Sequence, residues 1–278
     1  MASNSISALA ARLRSHGVAI PPALQNNPRT ITALVVAIAL SLPTASYARK
    51  SYKGYLALGP GGMPYNPLGW AIQGLLQLIA RWDTRSPGPF SKPANQKPYG
   101  PHGTTPFLAA SPLPLRDGIR PDVPGYVAPQ RQVTQQGGED TRERMTAFLG
   151  SLAARNPGVL VLRPSGLEGV GTPALWLDTA VVEPPAYLRG TKGELAHVHP
   201  EASSHVTVSL ADAEELTRKG WAERHRLSGV GGTGIPLSYV MVYAPRDEAE
   251  FEVWKGVVRA GLLFVGAGTG REVVVDVE

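Results

Sequence analysis

The chain contains no cysteine, which excludes disulfides, thiolate metal sites and a cysteine nucleophile. It has no acidic residue before Asp83, no GxSxG elbow and no HExxH pair. Its glycine-rich run Gly229–Gly234 is not followed by lysine. A serine hydrolase of the elbow type, a zincin and a phosphate-loop nucleotide hydrolase are therefore not indicated. Aromatic residues are only 7% of the 278 positions, whereas glycine and proline number 31 and 26. Turns must be frequent, yet 43% hydrophobic and 18% charged residues are enough for a folded core.

The net charge of +5 is unevenly placed. Seven basic residues (Arg12, Arg14, Arg29, Arg49, Lys50, Lys53 and Arg81) precede the first acid, and the rest of the chain is slightly acidic. A nucleic-acid binder places its basic excess on the folded domain. Here the excess surrounds the uncharged run at 30–48, which points to an anionic membrane surface and not to nucleic acid. As a helix that run spans about 28 Å, near the thickness of a bilayer core. The reading is an uncleaved transmembrane or signal-anchor helix at 30–48, with a cleavable signal ending near Ser46-Tyr47-Ala48 as the rival. The chain is then membrane-anchored by a single pass, with lipid as a partner and the side unassigned. A basic tail occupies 1–29 and includes an amphipathic stretch around Ile6, Leu9 and Leu13.

Residues 49–112 read as an amphipathic helix followed by a linker. The helix covers Leu68–Trp82, with Trp70, Leu75, Leu78, Ile79 and Trp82 on one broad apolar face, packed on the domain or shallowly inserted in lipid. The proline-rich segment 84–112 reads as linker or surface loop. The folded catalytic domain is placed at 113–278. A helix is expected over Asp140–Arg155 with Asp140 as cap, and others over Ala211–Lys219 and, capped by Asp247, over Asp247–Leu262. Strand-like runs occur at Val159–Arg163, Ala174–Val182, His205–Leu210, Tyr239–Tyr243 and Glu272–Val277. Strands and helices do not alternate as βαβ units. The fold class expected is α+β, with a mixed or antiparallel sheet packed with helices and preceded by the anchor.

Four of the six histidines (His197, His199, His205 and His225) crowd into one stretch. On an extended strand His197 and His199 face the same way, about 7 Å apart. Such a group supplies a base near neutral pH or a metal site. As a metal set, His197, His199 and His205 form a triad, with Glu194, Glu201 or His225 as further ligands. The cupin acid is missing, because Glu201 follows His199 by only two positions. As a base, a neutral imidazole beside Arg224 or Arg246 has its pKa lowered by the cation, and the same guanidinium stabilises an oxygen anion. The bland alternative is that Arg224 is solvated and Arg246 caps a turn. Gly229–Gly234 reads as a flexible loop near the pocket, and Gly166–Gly171 as a turn between strands.

GELAHVHP (193–200), HVTVSL (205–210), KGWAERHRLSG (219–229) and YAPRDEAEFEVW (243–254) together resemble the fungal luciferase family. Its members have a related histidine-rich segment, a KGW-x-x-RH turn and a YAPR-(D/N)-E element. RDGIRPDV (116–123), Gln130-Arg131-Gln132 and YLALGP (55–60) extend the likeness over most of the chain. The resemblance implies an oxygenase that adds O2 to a 3-hydroxy-α-pyrone of the 3-hydroxyhispidin type, with no cofactor beyond O2. A cyclic peroxide forms, CO2 is lost, and an excited caffeylpyruvate emits green light. On that scheme one of His197, His199 or His205 takes the enol proton. Arg224 or Arg246 holds the anion, and His225 orients the pyrone. Trp221, Tyr243 and Glu194 serve substrate binding. Two departures stand out: a proline-rich insertion around 84–106, and a shortened interval between His199 and His205 that removes a histidine luminous members place there. A dark relative acting on another pyrone or polyketide-like substrate, a His-metal enzyme and a binding module remain the alternatives.

Overall fold

The computed structural model describes residues 28–108 and 113–277. It divides into two units, at residues 1–57 and 58–278.

The described part of the first unit is one helix, α1 (Pro28–Ala57). Pro43 lies inside it and cannot donate to the preceding turn, while the Thr44 hydroxyl donates to Leu40 O at 2.7 Å. The helix does not stop where the apolar run ends but continues through Arg49, Lys50 and Lys53. Among the described residues no helix is long and apolar enough to cross a membrane. The single-pass anchor expected over 30–48, and the lipid partner that went with it, are therefore unsupported. Ser41, Thr44 and Ser46 interrupt its apolar surface with hydroxyls. The amphipathic stretch around Ile6 to Leu13 lies outside the described residues.

In the second unit α2 (Pro67–Leu76) begins one residue before the expected Leu68. Asn66 Oδ1 accepts from the Leu68 and Gly69 amides at 3.0 and 3.2 Å, and Pro67 fills the first turn. The helix ends six residues before Trp82, and its buried side is Gly69 and Gln73 rather than the apolar stripe. Leu75 and Leu78 are 67% and 82% exposed. The proline-rich segment is no free linker. Phe90 is fully buried beyond the single turn α3 (Pro93–Gln96) that follows it in sequence, and Tyr99 Oη accepts from Leu237 N at 2.6 Å. Leu210 N donates to Gly103 O at 2.8 Å, and Arg224 N to Thr84 O at 2.9 Å. Prolines set this segment's extended path without costing ladder hydrogen bonds, so it lies on the domain as a strap.

Helix α4 (Glu139–Arg155) starts one residue before the expected Asp140, after Gly138, and buries Met145, Phe148, Leu149 and Leu152. The strands are β1 (Leu160–Ser165), β2 (Gly169–Leu177), β3 (Glu194–Val198), β4 (Ser204–Thr207), β5 (Ala222–Arg224) and β6 (Tyr239–Val242). They form one antiparallel sheet in the order β1-β2-β3-β4-β6-β5. Between them, α5 (Leu210–Lys219) is capped by Ser209 and closed by left-handed Gly220. Helix α6 (Glu248–Thr269) is capped by Asp247, whose side chain accepts from Glu250 N. Phe251, Trp254, Val258, Leu262 and Val265 recur at helical spacing on its buried side. The predicted α+β class with an antiparallel sheet is observed.

Helix α6 covers the face of β4 that carries Ser204 and Val206. Trp254 Nε1 donates to Ser204 Oγ at 2.9 Å, and a Cβ on Gly261 would lie 3.2 Å from Val206 Cγ1. Alternation then turns His205, and with it His197, to the opposite face. The expected strand at 272–277 does not form. Its backbone is held instead by Arg259, which donates to Val275 O and Val277 O, and by Asn156, which brackets Val274.

Candidate active site

Strand register assembles the histidines. His197 is the direct antiparallel partner of His205 across β3–β4, and His199 continues the same face just beyond β3. The rings of His197 and His205 are 5.2 Å apart, those of His199 and His205 4.9 Å, and those of His205 and His225 5.2 Å. His225 arrives from the turn after β5. The Tyr239 ring, from β6, stacks on His205 at 4.5 Å and 14°. All four histidines are buried.

Each inner imidazole is oriented from behind. His197 Nδ1 donates to Glu194 Oε1 at 2.7 Å, and Glu194 also receives Ser165 Oγ at 2.6 Å and Gly166 N at 2.9 Å. His199 Nδ1 donates to Ser203 Oγ at 2.8 Å, whose own proton goes to Glu201 Oε1 at 2.6 Å. The Nε2 atoms of His197 and His199 then face one another at 3.1 Å. Arg131 joins the surrounding carboxylates. Its Nη2 meets Glu168 Oε2 at 2.5 Å, its Nε lies 3.9 Å from Glu201 Oε2, and its Nη1 donates to Leu58 O.

A cavity of about 470 Å³ opens in front of this cluster, a size suited to a small organic ligand. Gln130, Glu168, His205, His225, Thr233 and Tyr239 supply its polar lining, with Leu76 and Ile79 among the apolar residues. Gly231 and Gly232 border it, so the glycine-rich loop lies beside the pocket as expected. His225 Nδ1 accepts from Leu227 N at 3.1 Å, which places the proton of the neutral ring on Nε2. Burial pulls His225 down to about 4. Burial, with the neighbouring His199, His225 and His197, also holds His205 well below 6.5. Both rings are thus neutral at pH 7. Burial, then Glu194 and Glu168, push the Tyr239 phenol well above 10, so it stays protonated.

The arginines named from the sequence are elsewhere. Arg224 donates to Asp83 O and lines a separate cavity with Arg81, Lys92 and Tyr99. Arg246 is paired with Glu250 in the first turn of α6. Neither lines the histidine cavity, and it is chiefly burial, with no adjacent arginine, that lowers His205 and His225. Trp221 and Tyr243 flank Arg116, whose guanidinium lies 5.8 and 5.5 Å from their rings, and they do not wall the histidine cavity either. Glu194 is fully buried behind His197, so it positions a ring and does not reach the cavity. Three contributors were not singled out in the sequence: Glu168, Arg131 and Tyr239. Glu168 was hidden in the β1–β2 turn, read only as glycine spacing, and Arg131 appeared only within a family segment. No local signal marks either.

Fold and site together define an α+β domain with a buried, histidine-walled cavity for a small molecule. A family model, the Luciferase domain, matches residues 192–261, the stretch that holds all four histidines. The chain is 28% identical over 239 residues to a luciferase of Neonothopanus nambi, covering 82% of this chain and 84% of that protein. It is 27% identical over 251 residues to a luciferase of Armillaria mellea, covering 86% and 89%. No solved structure matches. These matches support a fungal luciferase-like family for the chain.

Proposed function

We propose that the protein is a small-molecule oxygenase of luciferase-like type, acting on a 3-hydroxy-α-pyrone with O2 as co-substrate. The observation that carries this reading is the cavity of about 470 Å³ whose lining includes His205, His225, Tyr239 and Glu168. The two imidazoles and the phenol offer neutral hydrogen-bonding groups to a flat, oxygen-rich ring. The pyrone enol gives its proton to a group on the inner wall, where Glu168 and His205 both face the ligand. The ring carbon then donates its electron pair to O2, and the peroxide closes on the lactone carbonyl. Cleavage of the O–O bond, of the bond between that ring carbon and the lactone carbonyl, and of the lactone C–O bond releases the carbonyl carbon as CO2, and the enolate left behind takes back the proton to give the dicarbonyl acid. No organic redox group enters this balance. The Nε2–H of His225 and the Tyr239 hydroxyl, and not Arg224 or Arg246, supply the donors that hold the developing oxygen anion.

Incubation of the full chain with 3-hydroxyhispidin in air tests the reading. Loss of the pyrone with one O2 consumed per CO2 released is expected, and an unchanged pyrone overturns it. Green emission during that turnover marks a luciferase. Turnover in darkness marks a dark relative, a second reading favoured by the histidine missing between His199 and His205.

A further inference from the structure

The hydrogen-bond chain behind the two inner histidines has a consequence for what lies between them. Glu194 fixes the His197 proton on Nδ1, and the Ser203–Glu201 relay does the same for His199. Both Nε2 atoms are therefore turned toward each other at 3.1 Å, close enough to share one proton or one metal ion. Two lone pairs at that distance repel unless a positive charge lies between them, and two imidazolium N–H groups there would repel as well. Two nitrogens bound to one ion at 2.0–2.1 Å are about 2.9–3.4 Å apart at angles of 90–109°. The observed separation falls in that range.

Two further observations point the same way. One ring nitrogen from each of His197, His199 and His205 lies within 4.8 Å of the others, so the third ring closes on a shared ion by a shift of about 1.4 Å, and the Nδ1 of the buried His205 makes no hydrogen bond. The surroundings also carry excess negative charge. Glu168, Glu194 and Glu201 are all buried, with side chains 6%, 0% and 9% exposed, and the one guanidinium among them is Arg131. Burying two uncompensated carboxylates is costly, and a divalent cation removes that cost. A carboxylate behind one metal-binding histidine and a hydroxyl–carboxylate pair behind another are the supports such ligands use to hold their tautomer.

We infer that His197 Nε2, His199 Nε2 and a ring nitrogen of His205 hold a divalent first-row transition-metal ion, with a coordination position open to the cavity. The donor set is nitrogen only and contains no thiolate, which suits zinc, iron, nickel or copper. This departs from the cofactor-free scheme implied by the family resemblance, and it stands whether or not the ligand is a pyrone. With His205 engaged, Glu168, whose Oε1 is 3.9 Å from His199 Nε2, is the group left to take a substrate proton. If the proposed function holds, the 3-oxygen and adjacent carbonyl of a hydroxypyrone give the ion a bidentate oxygen pair.

Elemental analysis and titration of the untagged full chain with Zn2+, Co2+ or Fe2+ test the inference. One equivalent per chain is expected, with visible Co2+ absorption. Binding should fall at least 100-fold in His197→Ala and remain unchanged in His102→Ala. Glu194→Gln preserves side-chain size and should weaken binding by about 10–100-fold, which keeps the test valid if the alanine variant does not fold. Absence of stoichiometric uptake by the folded wild type, or uptake indifferent to both site variants, overturns the inference and leaves a shared proton as the occupant. Pyrone turnover by a fully metal-free chain overturns it while sparing the oxygenase reading. A bound ion without pyrone turnover does the reverse.

Discussion

Glu194 Oε1 lies 2.7 Å from His197 Nδ1 and 2.6 Å from Ser165 Oγ. Ser165 Oγ in turn accepts from the Glu168 amide at 2.9 Å. One carboxylate on β3 thus orients both an inner histidine and the turn that delivers Glu168 to the cavity. Glu194→Ala leaves the His197, Ser165 and Gly166 donors unpaired in a dry site, a loss expected at about 3–5 kcal/mol. Glu194→Gln keeps an acceptor oxygen and should cost well under half as much. Urea unfolding of both variants measures this, and equal losses would mean that the charge, not the hydrogen-bonding oxygen, matters most.

Tyr239 backs His205 across a 4.5 Å stack, whereas Arg246 is engaged with Glu250 away from the cavity. Tyr239→Leu removes the ring that holds His205 and should lower kcat/KM for the pyrone by about 10–100-fold, since small misplacements at a reacting centre are costly. Arg246→Gln should stay within about threefold of wild type on the scale of an interaction not made with the transition state. Steady-state kinetics on the two variants decide the matter. A large loss in Arg246→Gln with unchanged thermal stability would restore the arginine to the site.

Burial raises the Glu250 carboxyl, but hydrogen bonds from Arg246 and Arg116 outweigh that effect and hold its pKa below 4.5. A carboxyl with a lower pKa in the folded chain than in the unfolded one stabilises the fold above the unfolded value. That contribution disappears as pH falls through the folded value. The stability gap between wild type and Glu250→Gln should therefore be level from pH 7 to about 5.5 and narrow below about 4.3. Denaturant midpoints across this range report it, and a gap that widens on acidification contradicts the ion-pair assignment.

Gly261 lets α6 approach β4, because a Cβ there would stand 2.6 Å from Thr207 O and 3.2 Å from Val206 Cγ1. Backbone oxygen cannot swing aside as a side-chain tip does, so Gly261→Ala should push the helix off the sheet. The expected cost is about 1–3 kcal/mol. Gly256, with nothing within 4 Å of its added Cβ, should gain stability on substitution by alanine, by up to about 1 kcal/mol. Thermal denaturation of the pair gives opposite signs if the packing is as described.

The amino-acid pattern by itself determined the elements whose causes are local. Asp247 caps its helix because its side-chain oxygen meets the amide three residues on. The apolar stripe of α4 and the shared face of His197 and His199 follow from helix and strand periods alone. The α+β class followed from the order of such segments. Only the tertiary structure decided what met across the sheet. It paired His197 with His205 by register, brought Tyr239 from β6 and Glu168 from the β1–β2 turn, and drew Arg224 and Arg246 into other partnerships. It also buried Phe90 from a segment whose prolines read as linker. Spacing along a chain fixes neighbours only within a turn or a strand, whereas long-range pairing is set by which surfaces bury most apolar area while leaving fewest charges unpaired.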